Sequence, residues 1–170
     1  MSVGNTDRPA VDLGTPFHCG IVVPDLEVAM AQLGAALGVR WATVQQARYT
    51  YASPSGLTPT EHRYTYSVGS APHVELIEGA PGSIWEPTTQ ADLHHLGYWA
   101  EDLAASSAAL TAAGSPIMAT HGTDLSHPAV FAYHQPPGAG LWIELVDVSL
   151  REVFAPWLAG GEMARRSPPA

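Results

Sequence analysis

Two histidines and two glutamates stand out because each residue type occurs twice in the same setting. Residues 18–26 read HCGIVVPDL and residues 95–103 read HLGYWAEDL. They align without a gap, placing His18 on His95, Gly20 on Gly97 and Asp25 on Asp102. Residues 74–78 read VELIE and residues 143–147 read IELVD, which places Glu75 on Glu144. A neutral imidazole and a carboxylate from each copy form a donor set suited to a divalent cation, and the two carboxylate charges balance those of the ion. A single histidine in an apolar strand is ordinarily a hydrogen-bonded core residue, and a single glutamate could face solvent. Packing alone does not favour a carboxylate between apolar neighbours twice at the same repeat position.

The elements that must position these residues follow from the same repeat. The apolar runs Phe17–Val23 and Leu96–Ala100 read as buried strands. Asp25 and Asp102 come next, suited to capping helix N-termini. The Ala/Leu-rich stretches Leu26–Leu37 and Leu103–Ala113 read as helices, each ending at a glycine, Gly38 or Gly114. Three strand-like runs then follow in each half. They are Trp41–Tyr51, His62–Val68 and His73–Ile77 in the first, and Ile117–Thr120, Ala129–His134 and Trp142–Val146 in the second. The turn-rich segments SPSGLTPT, GSAP, HGTDLSHP and QPPGAG separate them. The expectation is an α+β chain of two tandem βαβββ modules. An N-terminal arm spans 1–15, the first module 16–79, a linker 80–92, the second module 93–149, and a C-terminal helix and mobile tail 150–170.

Composition narrows the chemistry. The chain has 170 residues, 46% hydrophobic and 14% charged, enough for one packed domain or two small halves sharing a core. A net charge of −9 argues against a nucleic-acid footprint. All seven basic residues are arginine. Without lysine there is no Schiff base, no pyridoxal-phosphate chemistry and no P-loop amine. The single cysteine, Cys19, excludes an intrachain disulfide and a cysteine-based zinc site. No signal-like N-terminal core and no run long enough to span a membrane is present, so a soluble cytoplasmic protein with no membrane partner is expected.

The fragments FHCGIVVPDL, HVELIE, LHHLGYWAEDL and GAGLWIELVD resemble the vicinal oxygen chelate superfamily, over about residues 16–149. That superfamily includes glyoxalase I, methylmalonyl-CoA epimerase, extradiol dioxygenases and bleomycin-resistance proteins. The resemblance implies paired βαβββ modules forming a cup-shaped mixed β-sheet with helices outside. It also implies metal ligands His18, Glu75, His95 and Glu144, one divalent ion (Zn, Ni, Co, Mn or Fe), and a homodimer. Extradiol dioxygenases of this superfamily use two histidines and one glutamate, and the epimerases usually carry glutamine where Glu75 stands. The His/Glu/His/Glu set is similar to that of bacterial glyoxalase I. No residue set here marks a thiol-cofactor pocket, and the few arginines weaken a coenzyme A reading.

The resulting expectation is a metal-dependent isomerase, epimerase or lyase. It would move a proton α to the carbonyl of a small-molecule substrate, through an enolate stabilised by the metal. Glu144 is the first choice of base and Glu75 the second. The alternatives are a non-haem iron ring-cleaving dioxygenase and a non-catalytic binding or antibiotic-resistance protein. Strand alternation offers pocket residues: His73 shares a face with Glu75, Trp99 with His95, and Trp142 with Glu144. The run HRYTY puts His62, Tyr64 and Tyr66 on one face. His134 is a further candidate acid. His94 faces away from His95 and is not a ligand, and Cys19 reads as a small buried residue facing away from His18.

Overall fold

The computed structural model of the chain describes residues 11–86 and 92–164. Residues 1–10 of the expected arm, 87–91 of the linker and 165–170 of the tail lie outside the described residues. Arg8, Arg165 and Arg166 fall among them.

The first half runs β1 (His18–Val23), α1 (Leu26–Leu37), β2 (Gln45–Ser53), β3 (Gly56–Tyr66) and β4 (His73–Glu78). The second runs β5 (Asp92–Ala100), α2 (Leu103–Ala112), β6 (Ile117–His121), β7 (Ala129–His134) and β8 (Trp142–Asp147). A 3₁₀ turn, Val148–Leu150, leads into α3 (Arg151–Leu158). Each half is thus a βαβββ unit. The eight strands close into one barrel in the order β1-β4-β3-β2-β6-β7-β8-β5. Among the described residues no helix is long and apolar enough to cross a membrane.

Local chemistry explains the elements. Asp25 accepts from the Val28 N–H at 2.8 Å and Asp102 from the Ala105 N–H at 2.9 Å, so both helices start where an N-cap satisfies free amides. Gly38 ends α1 with φ +68°, a left-handed conformation that glycine adopts without steric penalty. The helices lie outside the barrel. Leu26 of α1 packs with Val23 and Leu76, while Leu103 and Leu110 of α2 pack with Ala132 and Leu145. α3 covers a third patch, where Trp157 and Leu158 meet Phe17 and Tyr66.

The first hairpin departs from the sequence expectation. β2 starts at Gln45, and Trp41 makes only an isolated bridge to Ser67. Of the segment SPSGLTPT only Pro54–Ser55 turns, because Ser53 already pairs with Gly56 and the strand continues through Pro59 opposite Thr50. Proline is tolerated there because β3 pairs with β4 only over Tyr64–Tyr66, leaving the other edge of Pro59 free. β7 carries a second irregularity: Val130 has φ +65° where the β6–β7 register shifts. This bulge breaks side-chain alternation, so Val130 and its neighbour Phe131 both face the barrel cavity.

Candidate metal centre

Strand register brings the four repeated residues together. β1 pairs in parallel with β4, setting Gly20 beside Glu75, and β5 pairs in parallel with β8, setting Gly97 beside Glu144. β1 and β5 are antiparallel, with His18 opposite Gly97 and Gly20 opposite His95. One row across the barrel therefore reads Glu75, Gly20, His95. The adjacent row reads His18, Gly97, Glu144. Each imidazole lies over the other module's glycine. A Cβ on Gly20 would overlap the His95 ring, and one on Gly97 would overlap the His18 ring. The H-x-G repeat is a geometric requirement, since the ring needs a neighbour without a side chain.

The donor atoms converge. His18 Nε2 and His95 Nε2 are 2.9 Å apart. Glu144 Oε2 lies 3.0 Å from His18 Nε2 and 3.3 Å from His95 Nε2. Glu75 Oε2 lies 3.3 and 3.2 Å from the same two atoms. Ligands about 2.1 Å from one ion sit roughly 3.0–3.4 Å apart when adjacent, so these spacings fit a common ion. Both histidine side chains are inaccessible to solvent and both glutamates are buried. Glu75 Oε2 is buried without an aligned hydrogen bond, as is His18 Nδ1. An orphaned carboxylate oxygen in a closed cluster is costly unless a cation claims it. The residues present therefore fit a divalent ion.

Electrostatics in the metal-free cluster agree. Burial opposes charge on every member, but mutual attraction prevails. Glu75 is held far below the usual carboxylate range by His18 and His95, and Glu144 is held at about 2 by His95 and His18. Burial acts to lower His95 and His18, yet the two carboxylates lift His95 to about 9 and also raise His18. Tyr66 and Tyr133 stand beside one carboxylate each, Glu75 and Glu144 respectively. Burial and those negative charges keep both phenols protonated. The tyrosines occupy matching places, since Tyr66 is opposite Glu75 and Tyr133 opposite Glu144 in the strand ladders.

His94 supports one ligand from behind. Its Nε2 lies 3.0 Å from the Ile84 carbonyl oxygen, and its Nδ1 lies 3.0 Å from His95 Nδ1. A carbonyl only accepts, so His94 Nε2 carries the proton. Burial and the neighbouring His95 charge push the His94 pKa down to about 4, so the ring is neutral and its Nδ1 accepts from His95 Nδ1–H. The His95 Nε2 lone pair is thereby directed into the cluster. Sequence reasoning placed His94 outside the ligand set and missed this buttressing, which only the position of the Ile84 carbonyl could reveal.

A cavity of about 250 Å³ opens beside Glu75 and Glu144. Tyr64 and Tyr66 line it. So do Tyr49, His62, Trp85 and Tyr133, of which Tyr49, Trp85 and Tyr133 were not anticipated. Four other expected pocket residues are placed elsewhere. His73 and Trp99 line a separate cavity with Arg151, and Trp99 stacks on Phe17 at 3.8 Å. Trp142 lines a third cavity and packs against His94 at 4.9 Å. These three lie on the anticipated face but one pleat too far along the strand. His134 faces outward beneath α2, donating from Nδ1 to the Ser115 carbonyl at 2.9 Å, with Nε2 2.9 Å from Ser107 Oγ. Its neighbour Tyr133 takes the inward position. Cys19 is half-buried, with its thiol 3.7 Å from the His73 carbonyl.

Comparisons with known proteins place this geometry. A family model described as the Glyoxalase/Bleomycin resistance protein/Dioxygenase superfamily matches residues 17–133. No curated protein matches the sequence. Among solved structures, methylmalonyl-CoA epimerase from Mycobacterium tuberculosis is similar with a TM-score of 0.52 and 21% identity, over 76% of this chain and 85% of that one. A hypothetical protein from Bacillus halodurans gives a TM-score of 0.55 and 16% identity, over 78% and 93%. A variant of Streptomyces coelicolor methylmalonyl-CoA epimerase, in complex with 2-nitronate-propionyl-CoA, gives 0.53 and 15%, over 78% and 96%. At these identities the likeness is one of fold.

Proposed function

This chain belongs to the Glyoxalase/Bleomycin resistance protein/Dioxygenase superfamily, and from that premise we propose that it is a metal-dependent enzyme transferring a proton α to a substrate carbonyl. The observation that carries the proposal is the convergence of His18, Glu75, His95 and Glu144, whose donor atoms all lie within 4.8 Å of one another. These four residues would hold one divalent ion. Such an ion supplies Lewis acidity toward a carbonyl oxygen.

The chain's own residues supply the rest. Glu75 and Glu144 both line the cavity and present a carboxylate to bound substrate, so either is placed to serve as the base. Glu144 is assigned the base, because Glu75 Oε2 is the orphaned atom that a cation would claim first. Tyr133 lines the cavity beside Glu144, as Tyr66 does beside Glu75. The walls beside the two carboxylates are largely aromatic. A fourth ligand beyond two histidines and one glutamate favours proton transfer over ring-cleaving oxygen chemistry, which uses open positions on iron.

Elemental analysis of protein purified without an affinity tag, followed by exchange of a substrate's α-hydrogen with solvent deuterium, tests the proposal. Wild type retains one divalent ion per chain and exchanges. Glu144→Gln keeps the ion but exchanges about 10²–10⁴-fold more slowly. A protein that neither retains nor takes up a divalent ion would overturn the metal reading. Near-normal exchange by metal-loaded Glu144→Gln would remove Glu144 from its role.

A further inference from the structure

Resting on the proton-transfer reading, we infer that the cavity selects a compact aromatic carbonyl compound and not a substrate on a phosphate-bearing carrier. Size is the first ground. A cavity of roughly 150 Å³ accommodates benzene, and pockets for drug-sized ligands begin at about 300 Å³. The space here, about 250 Å³, holds one substituted ring.

The walls are the second ground. Beyond the carboxylates they are built mainly from rings. His62 and Trp85 have centroids 4.5 Å apart, Tyr49 and Phe131 5.6 Å, and Trp85 and Tyr133 5.8 Å, mostly edge-to-face. Such an arrangement presents both ring faces and ring edges, and an inserted aromatic ring finds complementary partners on several sides.

Polarity is the third. His62 is buried to 8% exposure, lines the cavity, and has an Nδ1 with no hydrogen-bond partner. It lies on the same face of β3 as Tyr66, four residues away, which is about 13 Å along the strand. Tyr66 adjoins the cluster, so His62 marks the opposite end of the space. A substrate whose carbonyl meets the carboxylate end presents its far ring edge to His62, where a ring substituent satisfies the orphaned nitrogen.

The missing charge is the fourth. Among the described residues no arginine lines this cavity. Arg63 is paired with Glu27 and Glu78, Arg48 with Glu61, and Arg151 borders the separate cavity holding His73 and Trp99. The phosphates of coenzyme A need cationic partners, which arginine or lysine normally supplies.

The test uses three carbonyl probes on the full chain, both metal-free and loaded with Ni²⁺. Binding of 2-hydroxyacetophenone, hydroxyacetone and propionyl-CoA is followed by calorimetry and tryptophan fluorescence, and α-hydrogen exchange is measured in parallel. The aromatic probe is expected to bind at least about tenfold more tightly than hydroxyacetone, through ring burial and aromatic contact. No saturable binding of propionyl-CoA is expected. A para-hydroxyl on the aromatic probe tightens binding further, and His62→Phe removes that gain. Equal binding of the aromatic and aliphatic probes, or tighter binding of propionyl-CoA, overturns the inference, while exchange with any probe leaves the proton-transfer reading standing. Tight aromatic binding without exchange sustains the inference and overturns the catalytic reading instead.

Discussion

The two modules deliver the same atoms to the centre by the same means, yet they hold them differently. In both, the first strand carries a histidine, a glycine two residues later clears space for the opposite imidazole, and a tyrosine on the third strand stands opposite the glutamate on the fourth. Behind the ligands the likeness ends. His95 is buttressed through His94 to the Ile84 carbonyl, whereas Phe17 precedes His18 and the His18 Nδ1 is buried without a partner. α2 is tied to β7 through the Ser107–His134 pair and buries three of its residues, while α1 buries only Leu26. The likeness of the two halves in element order, caps and central residues does not extend to what supports those residues from behind. The surroundings make the second module the firmer holder.

The largest expected effect tests the shared part. Gly20→Ala and Gly97→Ala should each displace the imidazole over them, because the added methyl overlaps the ring of His95 or His18. Loss of metal affinity should exceed the roughly 10–100-fold typical of losing an outer hydrogen-bond partner. It should be similar for the two variants when measured by chelator competition on protein whose circular dichroism matches wild type. Unchanged affinity in either variant would break the pseudo-symmetric description of the site.

Much of that shared part is legible in the sequence. The gapless alignment carries His18, Gly20 and Asp25 onto His95, Gly97 and Asp102, and apolar periodicity with capping residues marks α1 and α2 to within a residue. Less legible is depth. A period of two tells which face His73, Trp99 and Trp142 occupy, but a shift of two residues moves a side chain about 6.7 Å along the barrel and out of the cavity. The bulge at Val130 is invisible to periodicity, because it is the point where periodicity fails. The β2–β3 boundary was obscured by Pro59, a residue that reads as a turn but sits on a free strand edge. The role of His94 depends on a carbonyl ten residues away in a loop, which no strand pattern encodes.

The difference between the modules is sharpened by His94→Phe. The ring is kept, but both hydrogen bonds are lost, and His95 no longer has a fixed tautomer. Metal affinity should fall by about 10–100-fold. The fold should persist, because the phenyl ring keeps the contact with Trp142. Affinity equal to wild type would mean that the two imidazoles are held equally well, the support behind His95 notwithstanding.

The smallest expected effect is read from stability against pH. In the metal-free protein the carboxylates lift His95 to about 9 against the opposing effect of burial, and raise His18 as well. A histidine whose folded pKa lies above its unfolded value near 6.5 stabilises the fold fully below that value, and the contribution disappears as pH climbs toward 9. Burial lowers His62, His73, His94 and His134, so near pH 6.5 their unfolded forms bind more protons than the fold does and oppose the loss; above about pH 7.5 those forms are largely neutral and the window reports the raised pair alone. Glu75 and Glu144 remain ionised across it. Metal-free protein should therefore lose stability as pH climbs from about 7.5 to 9, by up to about 1.4 kcal/mol per pH unit for one retained proton. With the ion bound, both imidazoles are already deprotonated and the slope should vanish, so the gain in melting temperature on adding metal should grow with pH. If His94→Phe flattens the metal-free slope while leaving His18 intact, the retained proton belongs to the second module. If the slope is unchanged, the proton is shared across the 2.9 Å between the two Nε2 atoms, and the modules differ in support but not in charge.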